Sequence, residues 1–285
     1  MLQLLFGMRY THQTISTLTD QVLQAAAQFR QRPLPEELAL VYLDGLFLKV
    51  LGEEGVERAA VHVALGVTPA GERQVLGYWL LPSENALAWE EVLKGLWHRG
   101  LKRVLLFISD GLGGLQPARQ RVYPLAEWPR CVVHGVRSSL SQVRVRDRGP
   151  LAEDLRRVYR TEALGALEEL QARWGGRYPG VVRLWWEDSG AFLRFYDYPK
   201  PLWPYLRSTN PMERLIREIR RGTRVRDHKF PSEGAVYKLL YLECERQEGK
   251  WEERKRRGFA EAKETLEQML RERYFPCTQT LTHKS

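Results

Sequence analysis

Cysteine is scarce in this chain. Cys131, Cys244 and Cys277 are its three cysteines, far apart among 285 residues. A sparse, odd set argues against a disulfide framework and fits a reducing compartment. Long apolar runs are missing too. None approaches the roughly 18 residues of a membrane span. The opening MLQLLFGMRYTH is only briefly apolar and lacks the basic n-region and cleavage site of a signal peptide. The expected setting is therefore the cytoplasm, with no membrane. There is no internal repeat and no long low-complexity linker. Negative charge is in short supply: the formal net charge is +9, which favours a polyanionic partner. The excess is local. Between Arg207 and Lys229, eight Arg and Lys stand against Glu213, Glu218 and Asp227. Between Arg130 and Arg148, five arginines stand against Asp147. What is plentiful is apolar residue, 44% of the chain, enough for a sizeable core and too much for wholesale disorder.

Periodicity gives the layout. Ile15, Leu18, Val22 and Ala25/Ala26 recur at helical spacing within residues 11–35, a peripheral helix closed by RPLP. ALVYLDGLFLKVL (39–51), ERAAVHVALGV (57–67) and RQVLGYWLLP (73–82) read as a three-strand meander with TPAG as a turn. Residues 83–100 read as a helix with Ser83 as N-cap, Leu87, Val92, Leu93 and Leu96 as its apolar face, and Gly100 as its stop. KRVLLFISDGLGGL (102–115) is a continuous apolar strand of the kind buried on both faces. A helix through QPARQRVYP, a strand at PRCVVHGV and a basic helix from RSSLSQVRVRD follow. The order implies an α/β fold, a mixed sheet with helices packed on it. Residues 150–206 are helical and aromatic-rich, read as a helical insertion, and 208 to about 273 are helices again.

Several residues invite a chemical reading, each beside a plain one. Asp44 is a carboxylate inside an apolar strand, costly unless paired or metal-bound, or else half of an Asp-Gly hairpin turn. Asp110 ends a buried strand, where open α/β sheets bind ligands, or simply begins a polar loop. Glu213 fits a capping box, with Asn210 as N-cap and Pro211 at the first helical position. It also heads a column, since Glu213, Arg217, Arg220 and Arg224 fall within about 60° of one another on a helix. Met212, Leu215, Ile216 and Ile219 form the separate core-facing stripe. Such arginines suit a phosphate backbone. Cys131 and His134 form a lone C-x-x-H, too few ligands for zinc; a buried cysteine at a strand end is the plainer account. Trp174, Trp185, Trp186 and Trp203 belong either to the core or to base stacking. Three acids on a basic α/β protein say more together than apart. They could hold two Mg²⁺ about 4 Å apart for phosphoryl transfer, and hard Mg²⁺ prefers carboxylates to His or Cys.

The stretches YLDGLFLKV, LGYWLLPSENALAWEEVLKGLWHRGLKRVLLFISDGLGGL, YPLAEWPRCVVHGVRSSL and STNPMERLIREIRR resemble, in order and spacing, the transposases of bacterial insertion sequences in the Mutator superfamily. The likeness runs from about residue 11 to about 251. It implies an RNase H-like core with an all-helical insertion before the last catalytic acid, and a catalytic, metal-holding triad of Asp44, Asp110 and Glu213. It matches Cys131 and His134 to a motif that shapes the active site. The expected DNA contacts are Arg137, Arg214, Arg217, Arg220, Arg221 and Arg224. The implied activity is Mg²⁺-dependent cutting and joining of double-stranded DNA, at the element's terminal inverted repeats and at target DNA. Two Mg²⁺ are expected, with Mn²⁺ as a substitute, in a homo-oligomer on nucleoid DNA.

The expected organisation is 1–37 as a remnant of the N-terminal DNA-binding region, 38–149 as the first part of the core, and 150–206 as the insertion. Residues 207–251 are the C-terminal helices of the RNase H-like core and 252–285 a basic helical tail. Members of the superfamily carry more helical sequence ahead of YTHQTISTLTDQV, so the chain is expected to be N-terminally truncated. Two alternatives accompany this reading: a catalytically silent DNA-binding remnant that interferes with full-length transposase, and a structure-selective RNase H-like nuclease.

Overall fold

The computed structural model describes residues 12–276, apart from 53–54, 84, 162–163, 225–228, 253 and 255. It begins with α1, His12–Gln31. This helix buries Ala26 and Phe29 and leaves Leu18 exposed. Phe29 stacks on Tyr78 at 5.8 Å, and Arg32, just beyond α1, makes a two-pronged pair with Glu248 at 2.6 and 3.0 Å. Such a bidentate pair fixes orientation as well as adding energy.

The meander follows as β1 Glu37–Gly52, β2 Gly55–Val67 and β3 Arg73–Leu81. The Asp-Gly hairpin at Asp44 is not there. β1 runs unbroken through Asp44, which pairs with Val63. β4, Arg103–Ile108, lies parallel to β1, giving the order β3-β2-β1-β4. A two-residue β5, Lys229–Phe230, joins the same β1 edge where β4 has ended, at Lys49 and Val50.

Alternation along β1 sorts the core into two layers. Val41 and Leu43 face one side, against Trp89, Val92, Leu93 and Leu96. That side is covered by α2, Ala86–His98, and α3, Leu115–Val122. Asn85, not Ser83, caps α2: its side chain accepts from Ala88 N at 2.9 Å. Leu40, Tyr42, Leu46 and Leu48 face the other side. There the helices are α4 Val132–Ser141, α5 Val145–Thr161, α6 Leu164–Trp174, α7 Pro179–Glu187, α8 Ser189–Leu193, α9 Trp203–Leu206, α10 Asn210–Arg224, α11 Glu233–Gly249 and α12 Phe259–Tyr274. The result is a mixed sheet flanked by helices.

The expected strand at PRCVVHGV is a helix, α4. Only its approach touches the sheet, through parallel bridges Leu106–Glu127 and Ser109–Arg130. From Cys131 the chain coils instead. Ser139 and Gly135 then pack against Trp185 and Phe192, which stack at 4.4 Å. Trp174 and Trp185 are buried, whereas Trp186 is partly exposed. Within the C-terminal segment, α12 packs on β4: the Tyr274 hydroxyl donates to Val104 O at 2.8 Å and lies 3.1 Å from Val104 N, which donates to it.

Candidate active site

The β1–β4 register accounts for the first two acids. Tyr42 pairs with Ile108, so two residues further on each chain reaches Asp44 and Asp110. Tyr42 and Ile108 both belong to the helix-rich layer. By the two-residue period, Asp44 turns toward that layer too, and Asp110, just past the end of β4, lines the same cleft. β4 has ended by then, so the sheet opens beside Asp44. Two acids 66 residues apart in sequence are thereby set side by side.

The third acid arrives on α10. The first intrahelical bonds run from Met212 N and Glu213 N to Thr209 O, both 2.9 Å. Thr209 is therefore the cap position. Asn210 N donates to Ser208 Oγ at 3.1 Å, so it is not held by Glu213, and the capping box is absent. The stripe Met212, Leu215, Ile216 and Ile219 is buried as expected. That burial turns Glu213 over the open end of the sheet. Its Oε1 accepts from Arg137 Nη1 at 3.1 Å and lies 3.6 Å from His134 Nε2. His134 Nε2 is also 4.0 Å from Asp110 Oδ2.

Asp44, Asp110 and Glu213 thus line one cleft of about 620 Å³, with His134, Arg137, Arg217, Arg220 and Arg221. The charges strain one another. Burial pushes the Asp44 carboxyl up to about 7, and the Asp110 charge adds to it. Gly45 N–H, donating to Asp44 Oδ1 at 2.7 Å, and the charges of Arg220 and His134 work the other way.

The C-x-x-H is a working pair. Cys131 precedes α4 and His134 lies one turn in, so Sγ and Nδ1 meet at 3.2 Å. Thr209 Oγ1 stands 3.4 Å from the same Nδ1. The hydrogen bond with Cys131 lifts His134 above its ordinary range against the opposing effect of burial, and the charges of Cys131, Asp110 and Glu213 add to the lift. Burial opposes the Cys131 thiolate, but the His134 ring and backbone outweigh it and bring the thiol down. Nε2 is left to face the carboxylates.

A divalent cation suits this donor set in kind. Three hard oxygen donors share a cleft, and burial together with the Asp110 charge raises one of them, Asp44. As they stand, no three His, Cys, Asp or Glu side chains among the described residues converge on a single ion. Arg137 already occupies an oxygen of Glu213.

Of the expected DNA contacts, Arg137, Arg217, Arg220 and Arg221 line the cleft, and Arg214 lines a neighbouring basic pocket. Arg224 ends α10, and its side chain lies outside the described residues. Glu218 lines the cleft as well. Nothing local marks it, since an acid in the middle of an arginine helix reads as an i,i+3 or i,i+4 partner.

Known proteins resemble the chain along most of its length. The profile of the family described as "Transposase, Mutator family" matches residues 1–254. A transposase for insertion sequence element IS905 of Lactococcus lactis is 34% identical over 270 residues, 93% of this chain and 68% of that protein. A transposase for insertion sequence element ISRM3 of Rhizobium meliloti is 34% identical over 279 residues, 96% of this chain and 69% of that protein.

Proposed function

We propose that this chain, which belongs to the Mutator family of transposases, cuts and joins double-stranded DNA at the ends of an insertion sequence by metal-dependent phosphoryl transfer. The observation that carries the reading is the shared cleft of Asp44, Asp110 and Glu213, rimmed by arginines. The sheet order β3-β2-β1-β4 with β4 parallel to β1 supports an RNase H-like core. The helices from Val145 to Leu206 would be the insertion before Glu213. The protein would work as a homo-oligomer on nucleoid DNA.

Asp44 and Asp110 would hold Mg²⁺, and Glu213 would complete the site after exchanging Arg137 for the metal. The chemistry a divalent cation supplies when bound here is stabilisation of charge on the phosphoryl oxygens and activation of a water or 3′-hydroxyl. The protein groups do the rest. Arg220 and Arg221 grip the backbone on either side of the scissile phosphate. His134, held by Cys131 through Nδ1, keeps a proton at Nε2 between Asp110 and Glu213. Arg137, released from Glu213, becomes free to pair with a phosphate.

The test uses the full chain, Mg²⁺ and a duplex carrying the element's terminal repeats. Cleavage and strand transfer are expected, with Asp110→Asn and Glu213→Gln each lower by at least about a hundredfold. Equal activity in Asp110→Asn would overturn the assignment. The Arg137–Glu213 pair favours a second reading, a catalytically silent DNA-binding protein. It predicts binding of the same duplex with no cutting in Mg²⁺ or Mn²⁺.

A further inference from the structure

A second pocket, of about 610 Å³, adjoins the cleft; Arg217 and Glu218 line both. Its cations come from three places: Arg73 on β3, Arg214 on α10, and Lys250, Arg254, Arg256 and Arg257 between α11 and α12. Among the described residues, Glu218 is the one carboxylate in its lining. Glu218 is already engaged by Arg246 at 3.3 Å and Arg221 at 3.7 Å.

The pocket is built rather than incidental. Arg73 Nη2 donates to Arg254 O at 3.0 Å, and its guanidinium lies 4.7 Å from the Trp251 ring. Arg256 stacks over Tyr205 at 5.6 Å. Burial and its arginine neighbours bring Arg73 down to about 10. Arginines and a lysine gathered around a single, already engaged carboxylate are what an anion with several oxygens would satisfy at once.

Continuity with the cleft says which anion. A free phosphate would fill one pocket. A nucleic-acid strand presents phosphates in series, and α10 places Arg217 in both walls. We propose that this pocket seats a backbone phosphate of the same DNA that enters the cleft, and so fixes how far the strand is advanced past the three carboxylates. The proposal rests on the DNA reading of the cleft.

The experiment measures binding of a fluorescein-labelled duplex of arbitrary sequence to the full chain across a salt series. Arg254 and Arg257 are exposed, so Arg254→Ala with Arg257→Ala leaves the fold intact, which a melting curve checks. The expected result is a salt slope reduced by about one to two, since each neutralised phosphate contributes close to 0.9. Arg220→Ala with Arg221→Ala, in the cleft, serves as the comparison. If the cleft variant loses affinity and the pocket variant binds like wild type, the pocket proposal is overturned and the DNA reading stands. If wild type shows no salt-dependent binding, both fall. Calorimetry with inorganic phosphate separates the remaining source. Phosphate heat lost in the pocket variant with duplex binding unchanged assigns the pocket to a free anion and rejects the DNA assignment.

Discussion

Asp44→Asn should stabilise this protein at alkaline pH. In the fold the Asp44 carboxyl titrates at about 7, against an ordinary 3.8, chiefly because of burial and then because of Asp110. The folded state therefore holds this proton more firmly than the unfolded state. Its contribution to stability is complete below about pH 3.8 and is lost as the pH rises through 7. The ionised form carries up to about 4 kcal/mol against it. Asparagine keeps the shape, and its side-chain oxygen can still accept from Gly45 N–H, but it bears no charge. In thermal melts near pH 9 the variant should exceed wild type by up to that amount, a shift on the order of 5–10 °C for a chain of this size. Near pH 4 the two should coincide.

Magnesium supplies the second half of the test. A cation held through Asp44 stabilises the ionised wild type, by about 2.7 kcal/mol at a hundred times its dissociation constant. The gap between the two proteins should then close, because the variant has lost the ligand. The reasoning is refuted if the variant gains nothing at high pH, or gains equally at low pH. An equal rise of both proteins with Mg²⁺ removes Asp44 from the metal site while leaving its burial strain in place.

Two further substitutions probe what holds the site in position. In Gly135→Ala the new Cβ would stand 2.5 Å from Phe192 Cε1, a ring buried against Trp185; about 1–3 kcal/mol of stability should be lost, and denaturant unfolding at the wild-type level would show that α4 shifts freely. His62 is fully buried edge-on to Trp89, and burial pushes it down to about 4 from 6.5, outweighing a backbone hydrogen bond with Ala60. It folds neutral, so its share of stability is present above pH 6.5 and lost as the pH falls toward 4, about 3 kcal/mol in all. His62→Phe should remove that acid loss in pH-dependent unfolding curves, and an unchanged acid limb would place the titration elsewhere.

The central strands were legible because their signals are redundant. β1 to β4 combine branched and aromatic residues with alternation or continuous burial, and their observed bounds fall within two residues of the expected ones, except at the far end of β4. PRCVVHGV shows the opposite case. A short apolar run with valines fits a strand or a buried helix equally. What decides it is Gly135 meeting Phe192, a contact 57 residues away in sequence. Asp44 was ambiguous for a related reason. Asp-Gly is the strongest short hairpin signal, and it was overruled by β2 pairing continuously along both sides of it. The basic pocket was less legible still, because Arg73 and Arg256 are brought together by the sheet and the α11–α12 turn.

Glu213 shows how a local rule can be right in kind and wrong in phase. The signals for a helix start at STNP were sound, and the helix begins there. But Thr209 rather than Asn210 accepts the first helical bonds. Glu213 is thereby the fourth helical residue instead of the third. One position is 100° of rotation, enough to carry a carboxylate away from the helix end. Burial of Met212, Leu215, Ile216 and Ile219 then fixes the rotation that remains. The partner it meets, Arg137, lies 76 residues earlier, on a helix whose first residues read locally as a strand. The acid's surroundings were therefore out of reach of any window around it. Only the resemblance of the motifs around Asp44, Asp110 and Glu213 to the transposase family tied the three to one site.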